Sequence, residues 1–330
     1  MIYVSKEKLD RDFERYSIDR WLNTTVSIMG KAAIPIVIIE LIIAVAMQDK
    51  LQWWISMLIF AVLDFITPFI VCFSLIWINA GIKISKSAGG ISAALKTSGT
   101  IKRSRPYLIL IQNEICSDKV LAEAKRLAET ANKQNYEYIS SLCHLIGCHT
   151  LRCEFDEATA CLEEMKKIPE TDLISQNDHM VAILDYAMAK HDDDLFISAI
   201  SEYADILNTL TERNPSAVPA LLAIAAYEQM LYGNCENASQ YLGWSMEYRL
   251  RMQRNGKFVN TPAASNLTKY NTAALLLDMA EVHIMCGDTE RARQEVKMAS
   301  ENAENLGIDI PPIFLRERER ILERLTKIKI

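Results

Sequence analysis

Apolar residues follow two different patterns along this chain. In the N-terminal part they form two continuous runs, at residues 32–47 and 53–80, with only five residues between them. A helix rises about 1.5 Å per residue, so the second run is long enough to cross a bilayer core of about 30 Å. The first run reaches that length if residues from Thr24 join it and Lys31 snorkels. The pattern predicts a transmembrane helical hairpin over residues 28–80, and two buried core helices of a soluble protein are the alternative.

Basic residues on both sides of this hairpin predict its orientation. Residues 1–31 and 81–106 hold six Lys or Arg each, whereas the connection holds only Lys50. Short loops rich in Lys and Arg stay on the cytoplasmic side of a membrane. We therefore expect an integral membrane protein with both termini in the cytoplasm, in the plasma membrane of a bacterium.

Two carboxylates interrupt the apolar runs, Glu40 in the first and Asp64 in the second. A carboxylate in hydrocarbon is costly, so these side chains are expected to make intramembrane polar contacts. They are interpreted either as neutral carboxyls that bond within the hairpin or across an oligomer, or as a site for membrane partners.

The segments on either side of the hairpin carry amphipathic or basic patterns. Residues 1–27 alternate apolar and charged positions near helical spacing, which fits a helix on the inner membrane surface or a solvated arm. Residues 81–106 are rich in Gly, Ser and Lys and contain no acidic residue. They are predicted to form a flexible, basic juxtamembrane linker, and anionic lipids are an expected partner.

From residue 107 to 330 apolar residues recur at helical spacing, and short segments resemble one another. Each of four such segments follows one predicted helix and opens the next, and their final residues are 40, 40 and 54 positions apart. Regular spacing of this kind indicates repeated helix pairs. The four segments are Cys153–Ala158, Asp193–Ser198, Gly233–Ala238 and Gly287–Ala292.

This part of the chain resembles the tetratricopeptide-repeat (TPR) family. The best match is residues 142–169, and the last unit, with Gly287, matches nearly as well, whereas the second has Ser198 where the family has Ala. The resemblance implies an all-α solenoid with a concave protein-binding surface, and a generic α-solenoid with longer helices is the alternative. The segment after Pro311 is predicted to be a capping helix. The residues that carry these matches are Phe155, Ala158, Leu162, Pro169, Ala292, Ala299, Leu315, Leu322 and Leu325.

Charge separates the two parts of the chain. Residues 1–106 hold 13 Lys or Arg and 8 Asp or Glu, whereas residues 107–330 hold 23 and 34. The acidic balance of the larger part argues against nucleic acid as a partner. Eight cysteines without a C-x-x-C pair are interpreted as reduced thiols.

The sequence offers little catalytic chemistry. His144 with Cys148, and His149 with Cys153, lie four residues apart, but the two pairs point in different directions on one helix. A closed zinc site needs four convergent ligands, so no metal site is expected. Nucleotide-binding and hydrolase motifs are missing from the sequence, and the acidic run at 191–194 is interpreted as a solvated turn. We expect no catalytic residues, no cofactor and no enzymatic activity.

The widest interval, before the last repeat, contains a basic cluster. Insertions in repeat proteins often emerge on the face that meets partners. This one carries Arg249, Arg251, Arg254 and Lys257 within an acidic domain. We expect these side chains to bind an acidic protein segment or anionic lipid, and the alternative is a solvated loop whose arginines pair with neighbouring acidic helices.

Together these patterns predict a membrane-anchored scaffold or adaptor that binds other proteins through a cytoplasmic TPR-like domain. The alternative is an accessory or regulatory subunit of a membrane transport or signalling complex, with the hairpin contacting membrane partners. The identity of the partner protein does not follow from the sequence.

Overall fold

The computed structural model describes residues 2, 4–14 and 90–328, apart from 134–135, 170–172, 215–216 and 257–264. All regular secondary structure in these residues is helical, and they contain no β-strand. The all-α part of the predicted fold class is therefore confirmed.

The helices of the described residues are numbered here in chain order. The first, α1, covers residues 6–14. The others are α2 (Gly90–Glu114), α3 (Asp118–Thr130), α4 (Tyr136–Leu151), α5 (Phe155–Met165), α6 (Leu173–Lys190), α7 (Asp193–Glu202), α8 (Ala204–Arg213), α9 (Val218–Leu231), α10 (Cys235–Gly256), α11 (Asn266–Met285), α12 (Thr289–Glu304) and α13 (Pro312–Lys327).

The structure contradicts one part of the predicted fold class, the membrane anchor. Within the described part of the chain no helix combines the length and the apolar character needed to cross a membrane. The predictions of a transmembrane hairpin and of an integral membrane protein are therefore not borne out by the described residues. The apolar runs at 32–47 and 53–80, on which the prediction rested, lie outside the described residues.

The N-terminal residues pack against the helical domain. Leu9 and Phe13 of α1 are almost completely buried, and the Phe13 ring lies 5.0 Å from the ring of Tyr248 in α10. The buried Asp12 carboxylate accepts a hydrogen bond of 2.8 Å from the Thr211 hydroxyl of α8. Residues 6–14 thus belong to the core of the domain, an arrangement that neither a membrane-surface helix nor a solvated arm anticipates.

Much of the predicted juxtamembrane linker is helical. Helix α2 begins at Gly90 and continues through Pro106 to Glu114. Arg103 donates hydrogen bonds to the Glu137 carboxylate and to the Leu127 carbonyl, and Thr100 and Ser104 are buried. Tertiary packing of this kind overrides the weak helix propensity of a Gly- and Ser-rich sequence.

Four turns between paired helices share one geometry, and they lie where the sequence placed them. In each turn one residue has a left-handed backbone, and the amide of the next residue donates to the carbonyl five positions earlier. This double turn ends a helix and starts the next within three residues. The left-handed residues are Cys153, His191, Gly233 and Gly287.

The shared geometry corrects the alignment of the second unit. The residue five positions after the left-handed residue is fully buried in every turn. In the second unit that residue is Phe196, whereas Ser198, which the sequence comparison placed there, is exposed. A similar turn with left-handed Ile115 joins α2 to α3, so the array begins one helix pair earlier than the sequence comparison indicated.

The two helices of a pair are buried to different extents. The buried positions of α12 lie along one side of the helix, and they are Ala292, Glu295, Val296, Ala299 and Ala303. Its partner α11 is buried over most of its length, including Glu281 and His283. Because a helix that is apolar on several sides must be covered on several sides, the first helix of the pair lies inside and the second lies outside.

The array of helix pairs returns to its beginning. Helix α11 contacts α2, and the Asn266 side-chain amide donates a 2.8 Å hydrogen bond to the Asn113 carbonyl. Helix α13, predicted only to cap the last pair, also reaches α4 and the end of α6, where Arg316 donates to the Ala189 carbonyl. Leu315 and Leu322 are exposed, and the buried side chains of α13 are Ile313, Phe314, Ile321 and Leu325.

Candidate functional site

The inner helices enclose a cavity of about 490 Å³. Its walls come from the first helices of the successive pairs, α2, α4, α6, α9 and α11, and from α13. Among the outer helices of the described residues, only α10 contributes a wall residue, Leu242. The volume lies within the range of about 300–1,000 Å³ that is typical of ligand sites.

Small and apolar side chains create the space. Five alanines of the inner helices face the cavity, so the helices leave room that larger side chains would fill. Aliphatic and thioether side chains from all sides complete an apolar surface, and three tyrosines also line the cavity. The alanines are Ala182, Ala189, Ala223, Ala226 and Ala274, the main apolar residues are Ile111, Ile146, Met188, Met230, Leu277 and Phe314, and the tyrosines are Tyr107, Tyr227 and Tyr270.

Two aspartates contribute carboxylates to this apolar surface. Asp185 of α6 and Asp278 of α11 both line the cavity, and both side chains are solvent-exposed. Burial raises the pKa of Asp185 to about 6. Burial also raises the pKa of Asp278 to about 7, although the nearby Arg249 guanidinium acts in the opposite direction. Among the described residues neither carboxylate makes a hydrogen bond or an ion pair.

The other two acidic residues of the cavity are paired. Glu317 of α13 lies 2.8 Å from His191 and 2.9 Å from Arg320. Burial opposes ionisation of Glu317, but hydrogen bonds from His191 and Arg316 lower its pKa to about 2. Glu281 of α11 pairs with Arg324 and, at 3.2 Å, with Arg320. These contacts fix α13 against α11 and against the turn after α6.

The acidic residues of the cavity leave a signal in the sequence. Asp185 interrupts the apolar stretch of α6, and Asp278 and Glu281 interrupt that of α11, three residues apart and so on one side of the helix. A charged residue inside an apolar helix must either pair or face a solvent-filled space. What the sequence lacked was the convergence of the two helices on one cavity.

The structure describes half of the predicted basic cluster, and of that half Arg249 lies near the cavity residue Asp278. Helix α10 extends to Gly256, so the extra length before the last repeat consists in part of helix. The Arg251 guanidinium bonds to Asp10 of α1 at 2.9 Å and lies 4.6 Å from the centre of the Phe13 ring. Arg249 is largely buried near Asp278, and burial lowers its pKa. The side chain of Arg254, and Lys257 as a whole, fall outside the described residues.

Glu40 and Asp64 also fall outside the described residues. Their predicted intramembrane contacts, an oligomer through the hairpin and the alternative function as a subunit of a membrane complex all depend on that part of the chain. The described residues contribute nothing to these expectations.

The histidines and cysteines of α4 take separate roles. His149 bonds to Glu154 at 2.7 Å, whereas the His144 ring stacks on Tyr107 with 4.2 Å between ring centres. Cys148 is completely buried. No three His, Cys, Asp or Glu side chains in the described ranges are grouped so as to hold a metal ion.

The acidic run at residues 191–194 forms the turn between α6 and α7, as predicted. Asp192 caps α7 by accepting from the Leu195 amide, and Asp193 accepts a 2.9 Å hydrogen bond from the Tyr227 hydroxyl. His191 contacts Glu317, so this turn also contacts α9 and α13. The turn therefore joins three elements around one end of the cavity.

Comparisons with known proteins give no further identification. Neither a protein-family model, nor a curated protein, nor a solved structure matches this chain.

Proposed function

We propose that this chain is a protein-binding scaffold of tetratricopeptide-like architecture, and that its inner cavity captures a segment of a partner protein. The observation that carries the proposal is the cavity itself, whose walls are built by the inner helices of successive pairs. Helical-repeat proteins use their concave inner surface to bind extended or helical segments, because each repeat adds wall area beside its neighbour.

Two further features support this function. The recurrent turn, with a small or aromatic side chain buried five residues after the left-handed position, resembles the signature of tetratricopeptide repeats. The intervals of 38, 42 and 54 residues between left-handed positions exceed the 34 typical of that family, and the second interval contains the additional helix α8. Apolar walls with a few polar groups are also the usual composition of a binding site.

The test is a selection of peptides followed by cavity-filling variants of the full chain. A phage-displayed library of random dodecapeptides is selected on the wild-type protein, and enriched sequences are resynthesised with a fluorescein label. Binding is then measured by fluorescence anisotropy on Ala223→Phe, which fills the cavity, and on Ala160→Phe, which adds the same ring at an exposed site of α5. Ala223→Leu is a milder second variant, and circular dichroism checks the fold of each.

We expect micromolar binding that Ala223→Phe weakens at least tenfold and that Ala160→Phe leaves unchanged. Peptides that bind all folded variants equally would place the binding surface outside the cavity and overturn the proposal. Failure to enrich any peptide would overturn it as well.

A further inference from the structure

Two cysteine side chains from neighbouring turns lie in contact. Cys235 is the first residue of α10, two positions after the left-handed Gly233, and Cys286 caps the C-terminus of α11, directly before the left-handed Gly287. The Cys286 thiol donates a hydrogen bond to the Cys235 sulfur. Both cysteines are free thiols, so the two sulfurs face one another as a reduced pair.

The packing of the surrounding helices fixes this arrangement. Helices α10 and α11 are in contact, and Cys235 packs against a small buried cluster that includes Val282 of α11. The Cys286 amide donates to the Val282 carbonyl, so Cys286 lies one helical turn beyond that cluster residue. The contact between the two thiols therefore follows from the packing of the two helix pairs.

The pair can also be reached from solvent. Among the cysteines of the described residues only Cys286 is exposed, and Cys235 is partly exposed. Buried cysteines are inert because oxidants do not reach them, whereas an accessible thiol beside a second thiol is readily converted to a disulfide. Accessibility and proximity thus occur together at this pair.

We propose that Cys235 and Cys286 form a redox-sensitive site, which a low-molecular-weight disulfide such as oxidised glutathione converts reversibly into an intramolecular disulfide. The thiolate of one cysteine attacks the small disulfide, forms a mixed disulfide and expels one small thiolate. The second cysteine then attacks the mixed disulfide at the protein sulfur and expels the other small thiolate. Two protein thiols are oxidised, and the small disulfide takes up their two electrons and two protons to become two thiols.

The disulfide would join two helix pairs that both build the wall of the cavity. Helix α9, which ends at the turn before Cys235, supplies Ala226 and Met230, and α11 supplies Ala274 and Leu277. A covalent link between the two turns restricts the movement of α9 relative to α11. Oxidation therefore stiffens one side of the cavity, and this inference does not depend on which ligand the cavity binds.

The surroundings of Cys286 make the exchange slow at neutral pH. Partial burial, the contact with Cys235, and the carboxylates of Glu236 and Asp288 raise the pKa of Cys286 to about 11. Because the thiolate is the attacking species, the rate of oxidation should increase by up to about tenfold per pH unit between pH 7 and pH 9.

The test oxidises the full-length protein in glutathione buffers. Reduced protein is equilibrated with an excess of oxidised glutathione at pH 8, the reaction is stopped with acid, and the remaining thiols are alkylated with N-ethylmaleimide. Tryptic peptides 214–249 and 270–291 contain one cysteine each, so mass spectrometry of the linked pair detects the disulfide directly. The variants are Cys235→Ser and Cys286→Ser, and the control Cys161→Ser removes a partly exposed thiol of α5.

We expect the two peptides to be linked in the wild type and in Cys161→Ser. The linked form should exceed glutathione-capped Cys286 by at least about tenfold, because the neighbouring thiol resolves the mixed disulfide. The bond closes a loop between residues 51 positions apart, so oxidation should raise Tm by roughly 5–15 °C, and dithiothreitol should reverse this rise. Neither Cys235→Ser nor Cys286→Ser should show the link or the shift.

Four results would overturn the inference. Folded wild-type protein that stays reduced even at pH 9, or that keeps glutathione on Cys286 without forming the link, would show that the two sulfurs do not come together. A link that appears only in urea would belong to the unfolded chain. Links between Cys286 residues of two molecules, visible on non-reducing gels, would assign the thiols to a contact between copies. A linked form with a lower Tm than the reduced protein would show that the folded backbone does not accommodate the bond.

Discussion

Substitution of Phe13 by alanine is the sharpest test of whether α1 belongs to the helical domain. The Phe13 side chain is 0% exposed, its ring centre lies 5.0 Å from that of Tyr248, and the Arg251 guanidinium lies 4.6 Å from the same centre. Truncation of a buried phenylalanine to alanine costs about 3–5 kcal/mol, because the transfer free energy is lost and a cavity remains. The tilted ring pair and the cation–π contact are lost as well.

The expected result is a decrease of about 3 kcal/mol or more in the free energy of unfolding, measured in urea by circular dichroism. Phe13→Leu, which retains most of the apolar volume, should cost less than half as much. The matched control is Glu14→Ala, one residue further along α1 at an exposed position, which should stay within about 0.5 kcal/mol of the wild type.

The Phe13→Ala substitution could also detach α1 from the domain without unfolding the other helices, and hydrogen exchange detects such a detachment. If the docking of α1 contributes less free energy than the substitution costs, residues 6–14 will detach while the remaining helices stay folded. Amides of residues 6–14 would then exchange rapidly at unchanged global stability. A Phe13→Ala variant with wild-type unfolding free energy and wild-type protection of these amides would contradict the packing of α1 against α10 described above.

Three further predictions concern the turns and the cavity. Gly287 has φ +80° and open space where a Cβ would lie, so Gly287→Ala should destabilise the protein by about 1–2 kcal/mol through backbone strain alone. Gly243 lies in the middle of α10, so Gly243→Ala should stabilise the protein by about 0.5–1 kcal/mol. The urea midpoints of the two variants should therefore shift in opposite directions. Because the pKa of Asp278 is raised to about 7, the folded state holds a proton that the unfolded state loses above about pH 4, so this group makes stability fall as pH rises from 4 to 7. Asp278 faces Arg249, Arg320, His191 and Glu317, and Asp278→Asn should remove this fall and be more stable than the wild type at pH 8; equal pH profiles for the two proteins would contradict it. Because the pKa of Glu317 is lowered to about 2, ionised Glu317 stabilises the folded state above about pH 4.5, and this stabilisation is lost as the pH falls towards 2. Glu317→Gln should therefore lower the free energy of unfolding by about 1.5–3 kcal/mol at pH 7 and change it little at pH 2. Thermal unfolding at both pH values measures this difference.

The local features of the fold were predictable from the sequence, because they depend on residues close together in the chain. Gly233 and Gly287 identify two turns directly, since glycine adopts a positive φ without strain. The turn at residues 191–194 was found from its aspartates, but its register was wrong, because the left-handed residue is His191 and the buried position holds Phe196 instead of an alanine. A sequence pattern that expects glycine at the left-handed position and alanine at the buried position does not recognise a turn with His191 and Phe196 there.

The features that were missed depend on contacts between distant parts of the chain. The hydrogen bond between Tyr248 and Asp10 joins residues 238 positions apart, and no periodicity in residues 1–14 indicates it. The helical part of the linker was missed for the same reason, because Arg103 and its neighbours are fixed by α3 and α4 and not by local propensity. The carboxylates of the cavity were visible as single charges in apolar helices, but only the tertiary structure brings Asp185 and Asp278 to one space.

The contact between α2 and α11 determines when this domain can be completed during synthesis. In an open repeat array each unit packs on the one made just before it, so folding can follow the growing chain. Here the Asn113 carbonyl can bond to Asn266 only after another 153 residues have left the ribosome. Helix α1 likewise can pack only after α8 and α10 have been synthesised. Until then the inner sides of the first helices lack their final neighbours and expose apolar surface. Nascent chains that stop before α11 should therefore be the ones that chaperones bind, and release should coincide with the emergence of α13.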